Sequence, residues 1–131
     1  MITWLENNKK ISIIFLVIIT IEIFFVSSLP GTLGISQSFS VAKAYHIIVF
    51  FLFALFLFTT IKGKNKLKAW QIVTVLIISI IYSILDEFHQ SFVPGRDPAL
   101  RDVMIDSFGI FLSILIYIYI NSKKLEKTKK I

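Results

Sequence analysis

The chain has no cysteine, three prolines, five glycines and eight acidic residues among 131. Without cysteine, disulfides, thiolate nucleophiles and thiolate-ligated metal centres are excluded. No Gly-rich phosphate loop, G-x-S-x-G elbow, H-E-x-x-H zinc helix or internal repeat occurs, so none of the common soluble-enzyme signatures is present. What is abundant is apolar. With 56% hydrophobic residues and a mean hydropathy of +0.81, the composition is that of a membrane protein rather than a soluble globular domain.

Four apolar segments, about 11–29, 44–61, 69–85 and 103–120, approach the ~20 residues needed to cross the hydrocarbon of a bilayer. They predict an all-α, polytopic four-helix bundle, with the whole chain, 1–131, as one membrane domain. The stretch KGKNKLK, with Gly63 and Asn65, reads as a short turn. Pro30–Ser40 is a Gly- and Ser-rich, uncharged loop, and the lysine-rich tail after Asn121 is expected to fray. The first segment could serve as a signal peptide, with Lys9 and Lys10 as the basic flank and Ile11–Val26 as the apolar run. Its length, Glu22 and the lack of an A-x-A site favour a retained span.

The net charge of +6 comes from fourteen Lys and Arg against those eight acids. The lysines sit in the gaps between apolar runs, which points to topology and anionic lipid rather than nucleic acid. Eleven lie at the N-terminus (Lys9, Lys10), in the middle loop (Lys62, Lys64, Lys66, Lys68) and in the tail. Only Lys43, Arg96 and Arg101 lie in or beside the other two loops. The positive-inside rule therefore predicts both termini in the cytoplasm, with loops 1 and 3 extracytoplasmic.

Residues 85–109, LDEFHQSFVPGRDPALRDVMIDSFG, hold five of the eight acids, both arginines and one of the two histidines. Charge placed between two spans is costly beside lipid, which makes this stretch the leading site candidate. Helical spacing puts Ser79, Tyr82 or Ser83, Asp86 and Gln90 on one face, with Glu87 and His89 adjoining. Asp102, Asp106, Gly109, Ser113 and Tyr117 form a second stripe, expected to face the first. Gly109 and Ser113 have the small-xxx-small spacing that lets helices approach closely. Pro94-Gly95 marks a turn, while Asp97 and Pro98 read as N-cap and first residue of the last helix. Glu22 falls about 9 Å below the outer end of the first span, and Lys43 and His46 share a face at the start of the second. Arg96 and Arg101 then hang over the mouth between the last two helices.

Six outer carboxylates (Glu22, Asp86, Glu87, Asp97, Asp102, Asp106) face three cations, an excess costly at the edge of a low-dielectric core. Protonated carboxylates, charged histidines or a bound cation would relieve it, as would water around an ion network that merely locks the helices. The spacing reproduces no metal motif, so no metal or cofactor is predicted, although a divalent cation is one of these three remedies.

The pattern Asp86-Glu87-x-x-Gln90-x-Phe92-x-Pro94-x-Arg96, followed by Asp102-x-x-x-Asp106-x-x-Gly109, resembles the signature of the VanZ-like family. Phe25-Val26-Ser27-Ser28-Leu29-Pro30-Gly31 and Lys43-Ala44-Tyr45-His46 are similar to two further family motifs, in the same order. The chain departs from many relatives at Val49-Phe50, where they carry Glu-Tyr, at Asp106, where they carry Asn, and at Ser113, where they carry Gly. These are small membrane proteins named for a member linked to resistance to the glycopeptide teicoplanin. The resemblance implies a bacterial cytoplasmic-membrane location and an influence on glycopeptide susceptibility, through a pocket for a lipid-linked envelope precursor or a glycopeptide. A second reading is an interfacial enzyme acting on a lipid phosphate. A third is a purely structural or partner-binding membrane protein. Four short helices close only a small bundle, so a sizeable pocket is expected to draw on a homo-oligomer.

Overall fold

A computed structural model describes residues 1–30 and 39–129. They form α1 (Ile2–Asn7), α2 (Lys9–Ser27), α3 (Phe39–Lys62), α4 (Ala69–Gln90) and α5 (Leu100–Lys129), with no strand among the described residues. The last four helices are long and apolar enough to cross a membrane, as the hydropathy predicts. Most of the loop predicted at 30–40 lies outside the described residues.

Every span differs in extent from its apolar run. Helix α3 begins at Phe39 rather than 44, α4 continues to Gln90 rather than 85, and α5 runs from Leu100 to Lys129 rather than 103–120. Hydropathy marks the slab, whereas i→i−4 hydrogen bonding carries on through Lys, Glu and Gln, which are good helix formers. The tail expected to fray is instead helical to Lys129. One contact that ties it down is Lys124 Nζ to Glu6 Oε2, 3.4 Å.

Helix α3 is the centre. Forty-four per cent of its span is buried against 17% for α2, and it touches all four other helices. Its Phe50, Ala54 and Phe58 recur every four residues and are fully enclosed. Phe58 stacks on Tyr117 of α5 at 3.9 Å and Phe53 on Tyr82 of α4 at 4.6 Å. Ile19 and Ile23 of α2, Val75 of α4 and Ile110 and Ile114 of α5 complete the core. The opposite faces, including Ile14, Ile18, Ile81, Ile84, Phe108 and Leu115, are exposed and apolar, the pattern of a surface solvated by acyl chains rather than water.

The two polar stripes do meet, but not along their whole length. Ser83 of α4 and Asp106 of α5 hydrogen-bond, whereas Gly109 packs against the Ile47 carbonyl of α3. The small residue therefore serves the α3–α5 crossing, not α4 as the stripe pairing implies.

The α4–α5 connection corrects a second expectation. Val93-Pro94-Gly95-Arg96 closes with Arg96 N–H to Val93 O at 3.1 Å, and Gly95 has φ +75°. Proline second and a left-handed glycine third define a type II turn. Asp97, however, does not cap α5, because the helix starts at Leu100 and Pro98 stays outside it. The Ala99 N–H at that start is accepted by Glu87 Oε2 of α4 at 3.0 Å. A carboxylate reaching over from the preceding helix takes the place of the local cap. Asp97→Ala is accordingly expected to change stability by less than about 0.5 kcal/mol in detergent-micelle unfolding.

At the lysine-rich end, α1 folds Glu6 into the bundle. Glu6 and Lys62 are both buried and paired at 2.9 Å, and Tyr117 donates its hydroxyl to Glu6 Oε1 at 2.5 Å. Trp4 and Trp70 are exposed at this same end, where indoles favour a membrane–water interface.

Candidate polar site at the arginine end

Opposite the lysines, four helices and one loop converge. Arg96 donates from Nη2 to the Val26 carbonyl at 3.0 Å and from Nε to Leu29 O at 3.2 Å. It therefore caps the C-terminal end of α2, where carbonyls carry partial negative charge and a cation is favoured. This bond pins the turn over the bundle, a more specific position than a residue hanging over the mouth.

Beneath it lies a hydrogen-bonded interior. His46 Nδ1 of α3 is 2.9 Å from Asp106 Oδ1 of α5, and Ser83 Oγ of α4 donates to Asp106 Oδ2 at 2.6 Å. Asp106 is fully buried, so these partners offset the cost of removing its carboxylate from water. Gln90 Nε2 donates to Asp86 Oδ2 at 2.9 Å and lies 3.4 Å from Ser27 Oγ. Tyr45 donates to Glu22 Oε1 at 2.7 Å. Glu87, 7% exposed, is satisfied at Oε2 by Ala99, while its Oε1 has no hydrogen-bond partner among the described residues.

Two concavities flank this interior. One, of about 210 Å³, is polar and lined by Lys43, His46, Gln90, Arg96, Arg101 and Asp102, with Asp97 also on its wall. The other, of about 400 Å³, is a shallow apolar groove between α4 and α5 walled by Ile84, Phe88, Leu100 and Val103, with Glu87 at its edge. His46 belongs to the first and Glu87 to the second, and both offer ligand atoms within 4.8 Å of each other and of Asp106.

Of the predicted site residues, Lys43, His46, Gln90, Arg96, Arg101 and Asp102 share one pocket, and Glu87 and Asp106 sit beside it. Asp86 is buried at the same end, hydrogen-bonded to Gln90. His89 turns elsewhere: its Nε2 is 2.9 Å from Ser28 Oγ and its ring stacks on Phe24 at 4.6 Å. Arg101 and Asp102 pair only loosely, at 3.9 Å, with Arg101 60% exposed. Pro94 shapes the turn, and Ser113 is buried with its hydroxyl unpartnered among the described residues. Sequence reasoning missed Tyr45, which reads as an aromatic of the second span until Glu22 is placed opposite it. It also missed the Glu6 cluster, whose one signal is a lone acid among N-terminal lysines.

Four apolar spans around a hydrogen-bonded polar interior define an all-helical, polytopic membrane protein with a polar cluster at one end. The family model described as VanZ/LLP1 matches residues 8–121, and the chain belongs to that family. It is also similar to an uncharacterized protein of the fission yeast Schizosaccharomyces pombe, 29% identical over 124 residues, covering 93% of this chain and 71% of the relative. No solved structure matches.

Proposed function

We propose that the arginine-end site binds an anionic, amphiphilic envelope lipid, with its headgroup in the polar pocket and an acyl chain in the α4–α5 groove. The observation that carries this reading is that a concavity lined by Lys43, Arg96 and Arg101 and an apolar groove share one end of the bundle, with His46 of the first and Glu87 of the second offering atoms within 4.8 Å of each other. Arginine forks and a lysine ammonium suit phosphate or carboxylate oxygens. The groove opens on residues that face lipid, so an amphiphile enters sideways without leaving the bilayer. On the positive-inside rule this end is extracytoplasmic, and in a bacterial membrane the ligand would be a lipid-linked wall precursor. Sequestering or presenting such a lipid would alter glycopeptide susceptibility. The fission-yeast relative favours a headgroup chemistry common to many membranes over recognition of the glycopeptide itself.

The test is lipid retention. Protein reconstituted with phosphatidylglycerol and phosphatidylcholine is released into mild detergent, and bound lipid is counted by native mass spectrometry. Phosphatidylglycerol should be retained selectively. Lys43→Ala with Arg101→Ala should weaken retention about 10–30-fold, taking about 1 kcal/mol per surface cation. Equal retention of both lipids, or an unchanged double variant, contradicts the proposal. In a bacterial host, the same double variant at matched expression should abolish any teicoplanin phenotype of the parent.

A further inference from the structure

We infer that His46, Glu87 and Asp106 form a site for one first-row divalent cation, Zn²⁺ or Mn²⁺. Three separate helices each supply one residue, α3 an imidazole and α4 and α5 a carboxylate each. Their ligand atoms lie within 4.8 Å of one another. Bonds of about 2.0–2.2 Å to a tetrahedral ion place donors about 3.4 Å apart, so closure asks a pair at the 4.8 Å limit to draw in by about 1.4 Å, within the reach of side-chain torsions.

A cluster of acids is not by itself a site, since the same groups can be satisfied by hydrogen bonds. Here one atom is not. Glu87 is more than nine-tenths buried and belongs to the group, yet its Oε1 has no hydrogen-bond partner among the described residues. A buried carboxylate oxygen without a donor is costly, and a cation is the partner with the most to offer it. The supporting contacts also fit ligands held in place for an ion. Ser83 Oγ donates to Asp106 Oδ2 at 2.6 Å, and the Ala99 N–H donates to Glu87 Oε2 at 3.0 Å. Glu87 is thus oriented through one oxygen and Asp106 through Oδ2, as outer partners of metal ligands do, while the 2.9 Å contact of Asp106 Oδ1 with His46 Nδ1 is the one an ion would replace.

The donor set selects the ion. One imidazole with two carboxylates suits zinc or manganese better than calcium or magnesium, which favour oxygen alone, and no thiolate is present to favour copper(I). Because His46 also lines the polar pocket, the ion and an anionic headgroup would be neighbours. The ion would add positive charge beside a pocket in which Asp97 and Asp102 partly offset the three cations. That role rests on the lipid-binding reading; the ion's binding does not.

The experiment uses the full chain purified through a tag without histidines. Elemental analysis by mass spectrometry and titration of chelator-treated protein with Zn²⁺ and with Mn²⁺ should each give about one ion per chain. His46→Ala and Glu87→Gln should lose that ion; the glutamine retains an oxygen for the Ala99 N–H, so the fold is expected to survive. Ser83→Ala should weaken affinity about 10–100-fold through orientation alone. Lys43→Ala with Arg101→Ala should lose lipid but keep the ion, separating failure of this inference from failure of the lipid reading. Less than a tenth of an ion per chain with no thermal shift on adding either metal overturns it. So does metal binding that is unchanged in folded Glu87→Gln.

Discussion

Glu6→Ala is expected to lower stability by about 3–5 kcal/mol, the usual effect of removing one partner from a buried ion pair. The pair is enclosed on both sides, with Glu6 5% and Lys62 4% exposed. Removing the carboxylate leaves the Lys62 ammonium without its counter-charge and also removes the acceptor of the Tyr117 hydroxyl. Lys124, half exposed, can return to water at little cost. Trp4 and Trp70 lie at this end, so their fluorescence during unfolding in detergent micelles reads the loss directly. The double variant Glu6→Leu with Lys62→Met should recover most of it, since replacing a buried pair by apolar side chains is often neutral or favourable. A loss below about 1 kcal/mol would mean that Lys62 extends its stem and reaches water instead.

Gly109→Val is expected to cost about 3 kcal/mol, at the upper end of ordinary overpacking. A Cβ at Gly109 collides with the Ile47 carbonyl, and the obstacle is backbone rather than the end of a flexible side chain. Helices α3 and α5 must therefore separate. His46 adjoins Ile47, and Asp106 lies three residues before Gly109, so the same displacement stretches the His46–Asp106 contact of 2.9 Å. The variant should lose metal and lipid along with stability. Ser113→Ala on the same helix is the control. Its buried hydroxyl has no partner among the described residues, and removing it should be neutral or mildly stabilising. A Gly109→Val protein as stable as the parent would contradict the close α3–α5 approach.

These residues show why some of the architecture is legible in the sequence and some is not. Four spans follow from hydropathy alone, because a bilayer demands length and apolarity without regard to partners. The Asp86/Gln90 and Asp106/Gly109/Tyr117 stripes follow from helical spacing, which is a local property. Which helix each stripe faces is not local. Gly109 has the small-residue signature, but only the chain's three-dimensional course sets it against Ile47. Asp97 had the right identity and position for a cap, and a longer-range acceptor, Glu87, displaced it. Glu6 was unreadable because its partners lie 56, 111 and 118 positions away in Lys62, Tyr117 and Lys124. Charge placement points to the arginine end, while the division of that end into a polar pocket and an apolar groove depends on where α5 begins.

Whether an anionic lipid lies across the arginine end is decided by photo-crosslinking. Two phosphatidylglycerol probes are needed, one with a photoreactive group in the acyl chain and one with it on the headgroup, and adducts are mapped by mass spectrometry. The acyl probe should label Phe88, Leu100 and Val103, and the headgroup probe should label Lys43 and the Arg96–Asp102 segment, with excess unlabelled lipid suppressing both. Acyl labelling spread evenly over Ile14, Ile18, Phe108 and Leu115, with no competition, would contradict a lipid lying there.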